Sequence, residues 1–190
     1  MKAVIMAGGK GTRLRPLTDR TPKPMVTLLD RPVMEYTIEL LKQHGITDIA
    51  VTVQYLPEAI RGYFGDGAEF GVNLHFFEED VPLGTAGSVK NAEDFLDETF
   101  IVISGDALTD FDLSKAIQYH FEKKAAATLL LAHVEHPLEF GVVMTNHLGQ
   151  IERFLEKPSW GEVFSDTVNT GIYILDPQVL TYFNRNEEFD

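Results

Sequence analysis

The chain has 190 residues, 44% of them hydrophobic, a net charge of −13 and no cysteine. Such a length can bury one substantial core, the lack of cysteine excludes disulfides and thiol catalysis, and no apolar run approaches the roughly 20 residues that cross a bilayer. The acidic balance argues against a nucleic-acid binder, which carries a basic face, and Met1-Lys2 leads straight into an apolar run without a signal-peptide pattern. The expectation is a cytoplasmic protein with no membrane and no nucleic-acid partner.

Charge is unevenly spread along the chain. Residues 1–31 hold seven Lys/Arg against two Asp/Glu, leaving −18 on the other 159. An acidic chain that gathers its cations in one stretch is suited to binding a small polyanion there.

Ala3-Val4-Ile5 reads as a short buried strand. It opens into Met6–Pro24, MAGGKGTRLRPLTDRTPKP, where Gly8, Gly9 and Gly11 permit a tight turn and close approach of backbone N–H groups to a ligand. Arg13, Arg15 and Lys23 add fixed positive charge, with Arg15 equally readable as a surface residue or a partner for an acid. After Asp30-Arg31-Pro32, Val33–His44 is expected to be a helix with Met34, Ile38 and Leu41 on one face and Gly45 as its stop. Asp48–Val53 reads as a strand, Pro57–Phe64 as a helix, Val72–Phe77 as a strand, Thr85–Leu96 as a helix and Phe100–Ile103 as a fully apolar strand ending in Ser104-Gly105-Asp106.

This β-α-β-α-β-α-β order is that of a parallel sheet covered by helices. Asp112–Lys124 continues it as a helix capped by Asp112, and Ala127–His133 as a strand. Strands then crowd together at Gly141–Thr145, Gln150–Glu156 and Thr170–Leu175, with a hairpin turn over Thr145–Gly149 and a last helix over Pro177–Phe183. No repeat or linker interrupts the pattern, so one α/β domain over residues 1–190 is expected. The six histidines form no HxxxH or HExxH pair and read as surface or packing residues.

Two phosphate-loop patterns fail against the glycine stretch. GxxxxGK[ST] does not occur, which disfavours a phosphate-loop NTPase or kinase, and GxGxxG would need its third glycine at Leu14. What remains, GGxGTRLxPLTxxxPKP, closely resembles the signature of the sugar-phosphate nucleotidyltransferases, the NDP-sugar pyrophosphorylases, most like the mannose-1-phosphate guanylyltransferases. That resemblance implies a Rossmann-like three-layer nucleotide-diphospho-sugar transferase fold with a mainly parallel mixed sheet. It also implies a reaction in which a sugar 1-phosphate oxygen attacks the α-phosphorus of a nucleoside triphosphate and pyrophosphate leaves. The substrates would be a nucleoside triphosphate and a sugar 1-phosphate, and the cofactor Mg²⁺.

Residue by residue, the resemblance gives Arg13 to the triphosphate and departing pyrophosphate, Lys23 to the α-phosphate region, and Asp106 to Mg²⁺ as a metal ligand. Ala7, Gly8, Gly9, Gly11 and Thr12 form the nucleotide loop, and Leu83-Gly84-Thr85-Ala86-Gly87 resembles the family's second loop, with Gly84 and Thr85 facing base and ribose. The helix starting near Thr85 is expected to direct N–H groups toward the ligand. Glu79 stands where relatives carry a glutamine that reads the base. An ionised carboxylate only accepts hydrogen bonds, and guanine offers two adjacent donors, so Glu79 favours GTP.

On the sugar-phosphate side, Phe140-Gly141-Val142-Val143 resembles the YGVV segment, Glu156-Lys157-Pro158 the EKP motif and Asn169-Thr170-Gly171 the N[TA]G motif. These assign Gly141, Glu156, Lys157, Asn169 and Gly171 to the sugar phosphate. The second metal acid of the family has no matching segment in these residues, and the last residues, through Asp190, form neither a cap nor a tail. A domain truncated at its C-terminal end is therefore expected, with room for a further C-terminal domain and a homo-oligomer. GTP with mannose 1-phosphate is the best fit. Glucose-1-phosphate thymidylyl-, uridylyl- or adenylyl transfer, and a non-catalytic regulatory homologue, stay open beside it.

Overall fold

Three consecutive fully buried residues, Ala3, Val4 and Ile5, form the middle of β1 (Lys2–Met6), and in the computed structural model a parallel sheet is built outward from this strand. Residues 1–185 and 187–190 are described. They separate into two compact units, the first made of Met1–Thr128 and Ile174–Asp190, the second of Leu129–Tyr173.

In the first unit, two residue pairs form the small antiparallel ribbon of β2 (Thr27–Leu28) and β3 (Arg31–Pro32). The helix α1 (Val33–Gln43) follows and buries Met34, Ile38 and Leu41, spaced to share one face. Strand β4 (Asp48–Val53), helix α2 (Pro57–Phe64), strand β5 (Asn73–Glu78), helix α3 (Gly84–Asn91), strand β6 (Phe100–Ser104) and helix α4 (Leu113–Lys123) complete the alternation. The strand order is β5-β4-β1-β6, with every pairing parallel. Ile5 lies opposite Val51 on one side and Ile103 on the other, and all three are fully buried. Parallel strands covered on both faces need such unbroken apolar runs rather than alternation. The carboxylate of Asp112 accepts from the Lys115 N–H at 3.1 Å, as its reading as a cap requires.

The register decides where the chemistry can sit. Met6 is level with Thr52 and Ser104, and Val53 with Glu78. The segments that follow these strands, beginning at Ala7, Gln54, Glu79 and Gly105, therefore leave the sheet along one edge. That is the edge where open α/β sheets place ligands.

The second unit holds β8 (Gly141–Thr145) and β9 (Ile151–Glu156), together with most of β7 (Ala127–His133) and β10 (Thr167–Leu175). Strands β8 and β9 form the expected hairpin, whose turn is fixed by Asn146 Oδ1 accepting from the N–H groups of Leu148 and Gln150. Strand β10 runs antiparallel to β8 and pairs with β7. It starts three residues earlier than expected, because Val168 is buried opposite Val142 and extends the ladder.

Two helix expectations need correction. The α-helix over Thr85–Leu96 stops at Asn91, and Glu93–Phe95 is a 3₁₀ turn. The last helix is a 3₁₀ run over Pro177–Tyr182, entered through Asp176, whose carboxylate accepts from the Gln178 N–H. The three residues of Glu93–Phe95 have the length usual for a 3₁₀ turn.

Ile103→Ala removes a fully buried side chain from the centre of this sheet. It should cost about 2–5 kcal/mol, read as a lower urea midpoint with an unchanged denaturant slope.

Candidate active site

Along that sheet edge lies a cleft of about 760 Å³, lined among others by Ala7, Gly8, Gly9, Gly11, Thr12, Arg13, Lys23, Glu79, Gly84, Thr85 and Asp106. Every one of the sequence-derived phosphate and nucleotide residues of the first unit is thus brought to one concavity. Gln54, Ser88, Ser104 and Asp190, to which no motif assigns a role, line it too. Gln54 directly follows β4, and the strand-end rule would have found it. Asp190 is brought in by a contact across more than a hundred residues, for which local sequence carries no signal.

Loop geometry explains the glycine spacing. Gly11 is left-handed (φ 60°), and a Cβ there would stand 3.0 Å from both Lys23 Cβ and Thr18 Cγ2. The Thr18 hydroxyl donates to the Gly11 carbonyl at 2.7 Å and closes the loop. Gly9 differs: its φ is not positive and a Cβ would meet nothing within 4 Å. The protein's own packing does not require glycine there, which leaves open space beside the backbone.

Lys23 opens a 3₁₀ turn between Pro22 and Pro24, and its ammonium pairs with the carboxylate of Asp106. The other oxygen of Asp106 accepts from the Ser104 hydroxyl. Burial is the largest single influence on Asp106 and pushes its pKa up. The hydrogen bonds from Lys23 and Ser104 outweigh it and hold the carboxyl below its ordinary value. Gly105 ties this turn to β1 through its N–H, which donates to the Met6 carbonyl at 2.8 Å.

The basic cluster is smaller in space than in sequence. Lys2 pairs with Asp97, Arg15 with Asp19 at the surface, and Arg31 with Glu35 and Glu39. Of the seven cations in the first 31 residues, Arg13 and Lys23 line the cleft. Arg13 is exposed and makes no ion pair among the described residues.

Glu79 is buried, 8% exposed, and sits in a polar chain: the Ser88 hydroxyl contacts Glu79 Oε1 and lies 2.8 Å from Thr52 Oγ1. Burial raises the Glu79 pKa above its ordinary value, opposed by the Ser88 hydroxyl and the Leu83 N–H. The carboxylate expected to be free for a base already holds two protein donors.

A further expectation needs correction. The first N–H groups of α3 do not open into the cleft. Those of Ala86 and Gly87 donate to the Phe189 carbonyl at 2.9 and 3.0 Å, and that of Thr85 donates to Asp190 Oδ1 at 2.6 Å.

The sugar-phosphate candidates lie in the second unit. Gly141 is paired with Glu156 across the hairpin, and a Cβ on Gly141 would stand 2.8 Å from Glu156 Oε2. Lys157 is left-handed (φ 42°), its N–H donates to the Phe140 carbonyl at 3.0 Å, and its ammonium lies 3.5 Å from Glu156. On β10, Asn169 Oδ1 accepts from the Gly171 N–H at 3.0 Å and its amide donates to the Tyr173 hydroxyl at 2.7 Å.

Comparison with known proteins places the chain among nucleotidyltransferases. The nucleotidyl transferase family model matches residues 2–189. The chain is 45% identical over 204 aligned positions to a UTP–glucose-1-phosphate uridylyltransferase of Synechocystis sp., covering all of this chain and 53% of that protein. It is 38% identical to a mannose-1-phosphate guanyltransferase of Hypocrea jecorina, covering 95% of this chain and 50% of that one. It thus spans about half the length of the curated relatives it matches. Among solved structures, a Bacillus anthracis protein assigned as a glucose-1-phosphate thymidylyltransferase and solved with sucrose aligns with a TM-score of 0.88 at 32% identity, covering 96% of this chain and 74% of that one. HddC from Yersinia pseudotuberculosis, solved with GMP-PN, aligns at 0.83 and 27%, covering all of this chain and 84% of that one. The shared architecture is the Rossmann-like NDP-sugar transferase fold, a mixed and mostly parallel sheet with helices. The chain belongs to the sugar-phosphate nucleotidyltransferase family.

Proposed function

We propose that this chain carries the nucleotide-binding and catalytic part of a sugar-1-phosphate nucleotidyltransferase. The observation that carries the reading is the Lys23–Asp106 pair at the mouth of β1 and β6, inside the glycine-loop cleft that also holds Arg13. A phosphate oxygen of the sugar 1-phosphate forms a bond to the α-phosphorus of the triphosphate. The bond from that phosphorus to the oxygen bridging to the β-phosphate breaks, and the electron pair leaves with pyrophosphate. Transfer of this kind relies on alignment and charge stabilisation rather than on a covalent enzyme intermediate.

Arg13 grips the polyphosphate, since a planar guanidinium can span two phosphate oxygens. The N–H groups of the Gly8–Thr12 loop add neutral donors, and Lys23 neutralises charge near the α-phosphate. Asp106 is the residue that would hold Mg²⁺. Its carboxyl is kept below its ordinary pKa, and Mg²⁺ takes one or two carboxylates together with substrate phosphates and water. Among the described residues no group of three or more acids or histidines could hold a metal ion by itself, which fits a cation shared with the substrate. When bound, the ion supplies charge neutralisation on the phosphates. Glu156, Lys157 and Asn169 of the second unit take the sugar phosphate.

For the base we propose guanine, and for the sugar phosphate mannose 1-phosphate. A carboxylate has acceptor capacity beyond the two donors that Glu79 already meets, and guanine presents two adjacent donors. A second reading, UTP with glucose 1-phosphate, is favoured by the 45% identity to the Synechocystis uridylyltransferase.

Pyrophosphate release, measured with Mg²⁺ and paired nucleotides and sugar phosphates, separates these. The expected productive pair is GTP with mannose 1-phosphate. Turnover with UTP and glucose 1-phosphate instead would overturn the base and keep the reaction class. Glu79→Gln should reduce kcat/KM with GTP about 10–100-fold, the loss of one charge-assisted hydrogen bond. Unchanged GTP preference would remove Glu79 from base selection.

The same variant tests the burial of Glu79. A folded-state pKa above the unfolded value gives stability that is complete below the unfolded pKa and is lost as pH rises through the folded one. Glu79→Gln removes that loss. It should therefore raise Tm at pH 7–8, by roughly 2–4 °C for each ~1 kcal/mol recovered, with the gain vanishing toward pH 4. A gain independent of pH would contradict this account of Glu79.

A further inference from the structure

Two glycines of the Leu83–Gly87 segment face the chain's own residues. A Cβ on Gly84, which is left-handed at φ 71°, would stand 2.7 Å from the Phe189 carbonyl oxygen and 2.9 Å from Asp190 Oδ1. On Gly87 it would stand 2.6 Å from the Glu187 carbonyl oxygen. Side chains there would collide with backbone, so these glycines admit residues 187–190 rather than a ligand. The Phe189 N–H donates in return to the Leu83 carbonyl at 2.9 Å.

This segment is anchored on α3 itself. Phe189 stacks on Phe183 with centroids 4.8 Å apart and rings 4° from parallel. Lys90, on α3, lies 5.8 Å from the Phe183 ring and donates to the Leu180 carbonyl at 2.6 Å. Arg185 reaches Asp94 at 2.9 Å, just past the end of α3.

We propose that residues 187–190 brace the second nucleotide loop, and that Asp190 is a positioning residue for the nucleoside triphosphate; this rests on the nucleotidyl-transfer reading above. A helix leaves its first N–H groups without internal partners. Here three of them are taken by Phe189 and Asp190, so this helix end does not compete with the Gly8–Arg13 loop for phosphate. Leu83, Gly84 and Thr85 line the cleft beside Glu79, and the Asp190 carboxylate lines it with them. A loop ordered before binding lowers the ordering cost that the ligand would otherwise meet. The brace therefore acts on the nucleotide and not on the sugar phosphate.

Asp190→Ala, Asp190→Asn and Gly87→Ala test this through amide hydrogen exchange at Thr85 and Ala86 and through calorimetric titration of Mg²⁺-GTP and Mg²⁺-UTP. Asp190→Ala should speed exchange at Thr85 about 2–30-fold, the range of a lost helix cap. It should weaken nucleotide binding by a comparable factor while leaving KM for the sugar phosphate unchanged. Asp190→Asn keeps an acceptor oxygen and should stay near wild type. Gly87→Ala, which displaces the segment by collision, should speed exchange at Ala86. Wild-type exchange and affinity in Asp190→Ala would overturn the proposal, as would an Asp190→Asn variant as impaired as Asp190→Ala. If the wild-type chain binds neither nucleotide, the nucleotidyl reading and the positioning role fall together, whereas the exchange rates still decide whether the brace exists.

Discussion

The ion pair between Lys23 and Asp106 joins two parts of the chain more than eighty residues apart in sequence. Each partner depends on a different constraint. Lys23 is presented by a 3₁₀ turn bounded by prolines, and Asp106 by a turn whose Gly105 N–H is held on the Met6 carbonyl. The second constraint traces back to the buried pairing of β1 with β6. A core that shifted by one residue would carry the carboxylate away from the lysine and dissolve the cleft. Hydrophobic register in the sheet therefore sets the electrostatics at its edge.

Charge in that cleft is nearly balanced rather than strongly positive. Arg13 and Lys23 face Glu79, Asp106 and Asp190, while the remaining basic residues of the first 31 are spent elsewhere or lie off the cleft. A site of this kind cannot hold a triphosphate by bulk attraction. On the proposed function, binding falls to directed donors, the guanidinium of Arg13 and the loop N–H groups, together with a cation that the substrate would bring. The acidic background of the chain fits that division of labour, since it discourages anions from binding away from the built site.

Much of this was legible in the sequence because the relevant signals are local. The apolar runs of Ile49–Val51 and Phe100–Ile103 can only be buried strands, and the glycine and proline spacing around Arg13 and Lys23 constrains the backbone over a few residues. Less could be read where contacts are distant. Seven cations close in sequence look like one cluster, yet Lys2, Arg15 and Arg31 find acids of their own. Gly84 and Gly87 look like a ligand's approach, yet they accommodate residues 187–190. Glu79 reads as an open acceptor, but its burial beside Ser88 shows only once α3 is packed on the sheet.

The proposed function gives the triphosphate to the loop from Gly8 to Lys23. Calorimetric titration of Mg²⁺-GTP and Mg²⁺-UTP into wild type and Lys23→Met, each checked for an intact thermal transition, tests it most directly. At least one nucleotide should bind wild type and should bind Lys23→Met about tenfold or more weakly. Equal affinity of both proteins for that nucleotide would contradict the assignment of this cleft to the triphosphate.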